Sequence, residues 1–495
     1  MKSQSRMNLG LTAFITIVLL ASTFFVHGTN MVAAATSGDY DYQLINGGTA
    51  VEIKRYNGAG TDVTIPDVID GKPITSLGDG AFHDCIVRSV TIPNGIASIG
   101  PNAFSDCVYL TSMSIPRSVT TVGDKAFSNC ASLVSITIPN VTSIGDQAFL
   151  GCGSLTSINV DVNNTVFASQ DGVLYNKALG TLIKFPVGKA GAFNIPPGVI
   201  DIGPGAFSGC WGVTSVVMPG TVMSIEGNAF ADCSSLRSLD IPDSVLSIGD
   251  NAFASCDSLE SVSIPESVNS VGSASFYYCS SLISVTIPSG ITSLGPLAFG
   301  RCASLNSIKV NISNPVFASQ DGVLYSKDLA TLIQFPGGRS GSFSIPASAT
   351  FIGNWAFESC GSLTSVIIPS NTKSIGDWAF SSCTSLTSVT IPSGEITIGD
   401  FAFSYCTSLT QLHFQGNAPS CGDNWIDGHN ANLTAYFFKG SSGFTTPTWN
   451  GVNSVDLPAP SSSTSQNLWI TVVLVVAIVL LLVAYFFLRK PKAKK

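Results

Sequence analysis

Cysteine is the residue type whose spacing first suggests chemistry in this chain. Twelve of the 13 cysteines follow an aromatic residue by three positions, from Phe82/Cys85 and Phe104/Cys107 to Phe380/Cys383 and Phe403/Cys406. Successive pairs are 22 or 23 residues apart, except for two steps of 58. Thiols at one fixed place in a repeat form a column, one per turn, and act as small apolar fillers. Cross-linking neighbours would force disulfide geometry onto a regular stack, so free thiols are expected. Cys421 lies outside the series and is expected to be reactive or to pair between molecules. No C-x-x-C or Cys/His spacing suggests zinc. Of the four histidines, His27 falls in the expected N-terminal signal segment, and His83, His413 and His429 join no Ser/His/Asp pattern. The aspartates that follow a glycine (Asp79, Asp124, Asp146, Asp250, Asp377 and Asp400) are single carboxylates at turns. They suit capping rather than calcium, which needs six or more oxygens gathered together. The expectation is a protein that is not an enzyme and holds no metal and no cofactor.

The element that positions the column is the repeat itself. One copy, Ser374 to Pro392, reads SIGDWAFSSCTSLTSVTIP. Its apolar positions are Ile375, Ala379, Phe380, Cys383, Leu386, Val389 and Ile391. The alternating, β-branched stretch Ser388 to Ile391 predicts a strand, which Pro392 stops because proline cannot donate to a ladder. Gly376-Asp377 before Ala379-Phe380 predicts a tight turn with an Asp cap into one helical or 3₁₀ turn. A unit this small cannot bury its apolar side alone; stacked copies can, at roughly 4.8 Å per strand.

With L-x-x-V-x-I at Leu386, Val389 and Ile391 and the whole unit recurring 12 times, the sequence resembles the BspA-type leucine-rich repeat family, from about Val63 to Phe414. There are two departures: Glu226 stands in place of the first glycine of its unit, and the first copy is one residue short after Cys85. The resemblance implies a β-rich parallel solenoid, a leucine-rich repeat array of 12 units of about 23 residues, capped at both ends. It also implies surface adhesion and host or matrix protein binding, as for some members.

Charge narrows the partners. Setting aside the seven basic residues at the two ends leaves 16 basic against 31 acidic, a net −15 between them. So acidic a region disfavours nucleic acid and anionic lipid. In order, the expected parts are a signal peptide over 1–35, ending Ala33-Ala34-Ala35; a cap hairpin over 36–62; the solenoid over 63–411; a C-terminal cap over 412–456; a Pro/Ser linker over 457–467; a transmembrane helix over 468–488; and a basic tail over 489–495. The 21 uncharged residues Leu468 to Leu488, followed by five Lys/Arg, predict a single-pass protein of the cell membrane. Its N-terminal ectodomain would lie outside and its C-terminus in the cytoplasm. Leu457-Pro458-Ala459-Pro460-Ser461 resembles a sortase sorting signal, but Pro460 and Ser461 stand where that motif needs Thr and Gly.

The two long steps contain near-copies, 161–196 and 311–346, read as inserted hairpins. They are expected to project, carrying Tyr175 and Tyr325 as candidate contacts, or else to buttress the solenoid. The outward strand positions form two columns. The first is serine in all copies but the last; the second varies and includes Asn159, Asp240, Lys309, Ile367 and His413, the remaining candidates for partner contact. The leading function is a membrane-anchored surface binding or adhesion protein for an extracellular protein or glycan. A self-associating surface coat is the alternative, and a polysaccharide-active enzyme lacks converging acidic and basic side chains.

Overall fold

The computed structural model describes residues 35–459. The chain forms two compact units, Met1–Gly191 with Gly198–Val213, and Ala192–Pro197 with Thr214–Lys495. Each is a stack of coils, and each coil contributes to two parallel sheets.

In the first unit the opening strands Tyr40–Ile45 and Ala50–Tyr56 pair antiparallel, and the second of them pairs parallel with Lys72–Leu77. From there one sheet climbs through Ser98–Ile99, Thr121–Val122 and Ser143–Ile144. The other climbs through Asp62–Thr64, Ser89–Thr91, Ser112–Ser114, Ser135–Ile138 and Ser157–Val160. Like residues face like: Ser135 pairs with Ser157, Ile136 with Ile158 and Thr137 with Asn159. The second unit repeats the pattern, with Ser238–Asp240, Ser261–Ser263, Ser284–Ile287 and Ser307–Val310 in one sheet and Leu363–Ile367, Ser388–Ile391, Gln411–Phe414 and Thr434–Phe438 in another.

The Gly-Asp segment forms no helical turn. Among the described residues the only helix is a short 3₁₀ piece, Asn46–Gly48. The turn instead places two residues per coil in the left-handed region, two before and two after the Phe: Asn102 (φ 49°) and Asp106 (61°), Asn251 (54°) and Ser255 (57°). This frees the backbone to bond between coils. Phe104 N–H donates to Ala126 C=O (2.7 Å) and Phe253 N–H to Ser275 C=O (2.7 Å). The turns thus form a third ladder, which satisfies the groups a helix would have satisfied internally. Coils approach closely at the glycine: a Cβ on Gly123 would lie 2.5 Å from Pro101 N.

The core is the Ala-Phe-Cys-Leu column. Phe82, Phe104, Phe127 and Phe149 stack with centroids 5.0, 5.4 and 5.8 Å apart. Phe357, Phe380 and Phe403 do so at 4.6 and 5.1 Å. Each is fully buried, worth about 1.5–3 kcal/mol per ring.

The two inserted segments do not project. In the first unit Phe167–Gln170, Val173–Asn176 and Thr181–Lys184 form an antiparallel ribbon, and the last strand joins Asp201–Ile202 in parallel. The ribbon folds back on the sheet edge, where Ile158 N–H donates to Gly172 C=O (2.8 Å) and Val160 N–H to Ser169 Oγ (2.9 Å). In the second unit Ile308 N–H donates to Gly322 C=O (2.8 Å) and Val310 N–H to Ser319 Oγ (3.0 Å). An edge strand that would otherwise be open is covered. The end of each insertion is itself a coil. Phe185 stacks on Phe207 and Phe335 on Phe357, both at 4.9 Å, and each Phe N–H bonds to the alanine carbonyl of the next coil. The 58-residue step therefore holds a further turn of the solenoid, marked by Phe but with glycine three residues on (Gly188, Gly338).

At the far end of the second unit another coil follows Phe403. Ser420–Cys421 pairs with Thr397–Ile398, and Thr434–Phe438 with Gln411–Phe414. Trp425 and Ile426 take the places of Ala and Phe. Val452–Leu457 then pairs with Thr434–Phe438, and Phe414, Phe444 and Trp449 close the end with centroids 4.9–5.2 Å apart.

The expectation of a C-terminal transmembrane helix, and of a single-pass membrane location built on it, is corrected. No helix among the described residues is long and apolar enough to cross a membrane. Residues 468–488 lie outside the described residues, as do the basic tail and all of the expected signal segment but Ala35.

Candidate functional site

The thiols are structural. All 13 cysteines are free, and all but Cys85 and Cys421 are buried. Column thiols lie under the Phe carbonyl of the preceding coil and donate to it, as Cys107 to Phe82 (3.0 Å), Cys152 to Phe127 (3.0 Å), Cys302 to Phe276 (3.1 Å) and Cys406 to Phe380 (3.1 Å); Cys85, in the first coil, meets Tyr56 C=O (3.9 Å) instead. Burial pushes the Cys107 and Cys302 thiols up to about 12. Cys421, expected to be reactive or to pair between molecules, is free and half-buried. It sits in a two-residue strand at the place of Ile398, and burial raises it to about 12 as well.

The aspartates are not caps of their own turns. Asp377 Oδ1 accepts the N–H of Asp400 (2.9 Å), and Asp400 Oδ1 that of Asp423 (2.7 Å). Asp124 does the same for Asp146 (2.9 Å) and Asn354 for Asp377 (2.9 Å). They tie coil to coil. No three His, Cys, Asp or Glu among the described residues could hold a metal ion.

Tyr175 and Tyr325 are 1% exposed, so neither can meet a partner. Their hydroxyls are buried with no hydrogen-bond partner, and burial raises both to about 12. The physical reason is the fold-back: the face of the ribbon that carries them turns into the core.

The other five candidates lie on outer sheet faces. Asn159, in the first unit, accepts a hydrogen bond from Ser157 Oγ (2.7 Å). Asp240 and Lys309 are exposed in one sheet of the second unit but three coils apart, roughly 14 Å, in the row Asp240, Ser263, Thr286, Lys309. Ile367 and His413 fall in a different sheet and are brought into one row. Paired neighbours there run Ile367, Thr390, His413, Tyr436 and Val455. Ile367 is 59% and Val455 43% exposed. The His413 ring stacks on Tyr436, centroids 5.1 Å apart. Burial lowers the His413 pKa, which disfavours its charged form. The row is uncharged and part aromatic beside a hydroxyl-rich row that includes Ser365, Ser388 and Thr434. Tyr436 and Val455 were missed because their coils lack the Phe/Cys marker; the signal was the alternation in Thr434-Ala435-Tyr436-Phe437.

A family model described as the BspA type leucine rich repeat region, in 6 copies, matches residues 60–183, 193–321 and 335–444. Solved structures are similar too. A leucine rich cell surface protein from Faecalibacterium prausnitzii shares 23% identity, over 88% of this chain and 97% of that one, at a TM-score of 0.36. A leucine-rich repeat protein from Bacteroides ovatus shares 23%, over 86% and 99%, at 0.38. The pneumococcal vaccine antigen PcpA shares 16%, over 83% and 95%, at 0.37. Scores this low speak for neither a shared partner nor a shared overall shape. No curated protein matches the chain.

Proposed function

The chain belongs to the BspA-type leucine-rich repeat family, and on that premise we propose that it is a non-catalytic surface binding or adhesion protein that takes a protein partner on the outer face of its Leu363–Phe438 sheet. The observation that carries this reading is the row Ile367, Thr390, His413, Tyr436 and Val455, in which Ile367 and Val455 are exposed and the half-exposed His413 and Tyr436 rings stack on a hydrogen-bonded sheet. Exposed apolar and aromatic side chains on a rigid frame are what protein interfaces use as anchors, because little conformational freedom is lost on contact. The acidic surface favours a partner that is neutral or basic where it touches. The test is binding of the full chain to a panel of extracellular matrix proteins and to itself, with Ile367→Asp and Tyr436→Ser alongside. A saturable partner whose Kd rises tenfold or more in either variant, with unchanged thermal unfolding, is the expected result. Self-association alone would replace this reading with that of a surface coat, and a partner indifferent to both variants would move the site elsewhere.

A further inference from the structure

The second insertion leaves a gap in the turn column. An ordinary coil places four residues between its second strand and its Phe; Gly353, Asn354, Trp355 and Ala356 lie between Ile352 and Phe357. The coil of Phe335 places only two, Ile333 and Gln334, after Leu332. It has no left-handed residue there. The result is a cavity of about 280 Å³ whose lining includes Leu297, Ile333, Gln334, Asn354 and Trp355. Its two walls, Leu297 and Trp355, belong to the coils on either side of the short one.

One comparison distinguishes this slot from an accident of packing. Leu297 (φ 58°) and Trp355 (φ 56°) hold the left-handed turn position that carries Asn102, Asn228 and Asn251 in some coils and Trp378 and Phe401 in others. Gln334 is 8% exposed and lines the slot. The twin in the first unit is filled. Lys184 takes the place of Gln334 and donates to Gly205 and Ser208 carbonyls (2.9 and 3.0 Å), with Gly205 where Trp355 stands. In the second unit the Arg301–Glu358 pair (2.6 Å) bridges the short coil instead, and Gln334 is released from that task.

We propose that this slot binds one neutral pyranose ring of a glycan, stacked on the Trp355 indole and hydrogen-bonded by the Gln334 amide. The volume, at the small end of ligand pockets, fits a single ring. The indole offers an apolar face for the C–H side of a sugar, and Gln334 offers a donor and an acceptor side by side, as vicinal hydroxyls require. The lining holds no ionisable side chain, so nothing there would pair a carboxylate, sulfate or phosphate. The slot is separate from the sheet row proposed for protein contact.

The experiment is saturation-transfer NMR on the full chain with methyl glycosides of glucose, galactose, mannose and N-acetylglucosamine, and with glucuronic and N-acetylneuraminic acids as charged controls. At least one neutral glycoside should show saturation transfer that falls fivefold or more in Trp355→Asn and in Gln334→Ala, and is unchanged in Ile367→Asp. Trp355→Asn installs the residue other coils use at that backbone, so it retains the fold, and Leu297→Asn provides a second variant of the same kind. No transfer from any neutral glycoside, transfer that survives Trp355→Asn, or equal transfer from the charged sugars would each overturn the proposal. None of these outcomes bears on the sheet row, which Ile367→Asp and Tyr436→Ser test.

Discussion

At the scale of single residues, the same type does different work according to which carbonyl or ring it meets. Column thiols such as Cys107 and Cys302 face a Phe carbonyl of the coil before, and burial pushes them up to about 12. Labelling of the native protein with iodoacetamide at pH 8 should reach only the half-buried Cys85 and Cys421, and slowly, with the rest reacting on unfolding; peptide mass spectrometry that finds several column cysteines alkylated in the native state would contradict this. Tyr175 and Tyr325 bury hydroxyls without partners. Tyr175→Phe and Tyr325→Phe should leave stability unchanged or raise it by up to about 1 kcal/mol, since an unmet polar group is removed. A fall in denaturant midpoint in either variant would mean that the hydroxyl has a partner. The thiol column was legible in the sequence because a fixed spacing converts directly into a fixed place. The burial of Tyr175 was not: Val173-Leu174-Tyr175 is apolar throughout, and nothing local says whether such a strand stands off the solenoid or folds back onto it.

At the scale of elements, what escaped the sequence was whatever lacked the full marker. The second strand of each coil, such as Ser98–Ile99, is two residues long and shows no alternation. The coils of Phe185 and Phe335 have no Cys, and the coil of Trp425 has neither Phe nor Cys in place. The Gly-Asp turn was misread because an aspartate before an apolar pair is also how a helix begins; here its carboxylate reaches the next coil, and the left-handed residues bar a helix. The short Phe335 coil has a further energetic consequence. Glu358 is buried, and its one ionic partner among the described residues is Arg301, 57 residues earlier. Arg301→Ala strands that carboxylate and should cost about 3–5 kcal/mol, while Arg301→Met with Glu358→Gln should cost much less. Urea unfolding followed by tryptophan fluorescence would read the difference, and equal losses in the two variants would show that packing rather than charge is at stake.

At the scale of the whole molecule, each compact unit is held by nearest-neighbour contacts between like coils, so one surface position is repeated many times and becomes a row. That is why the period sufficed for the leucine-rich repeat array, whereas the candidate site did not emerge complete. Row membership depends on which coil pairs with which, and that is set by backbone register, as in His413 against Tyr436. The central claim is that recognition takes place on the outer face of the Leu363–Phe438 sheet. The most direct measurement is photocrosslinking of the bound partner from benzoylphenylalanine placed at position 367, with position 223, where Met223 is exposed beside a strand of the other kind, as the comparison. A crosslink formed from 367 and absent from 223 is the predicted result. A crosslink from 223 with none from 367 would contradict the account.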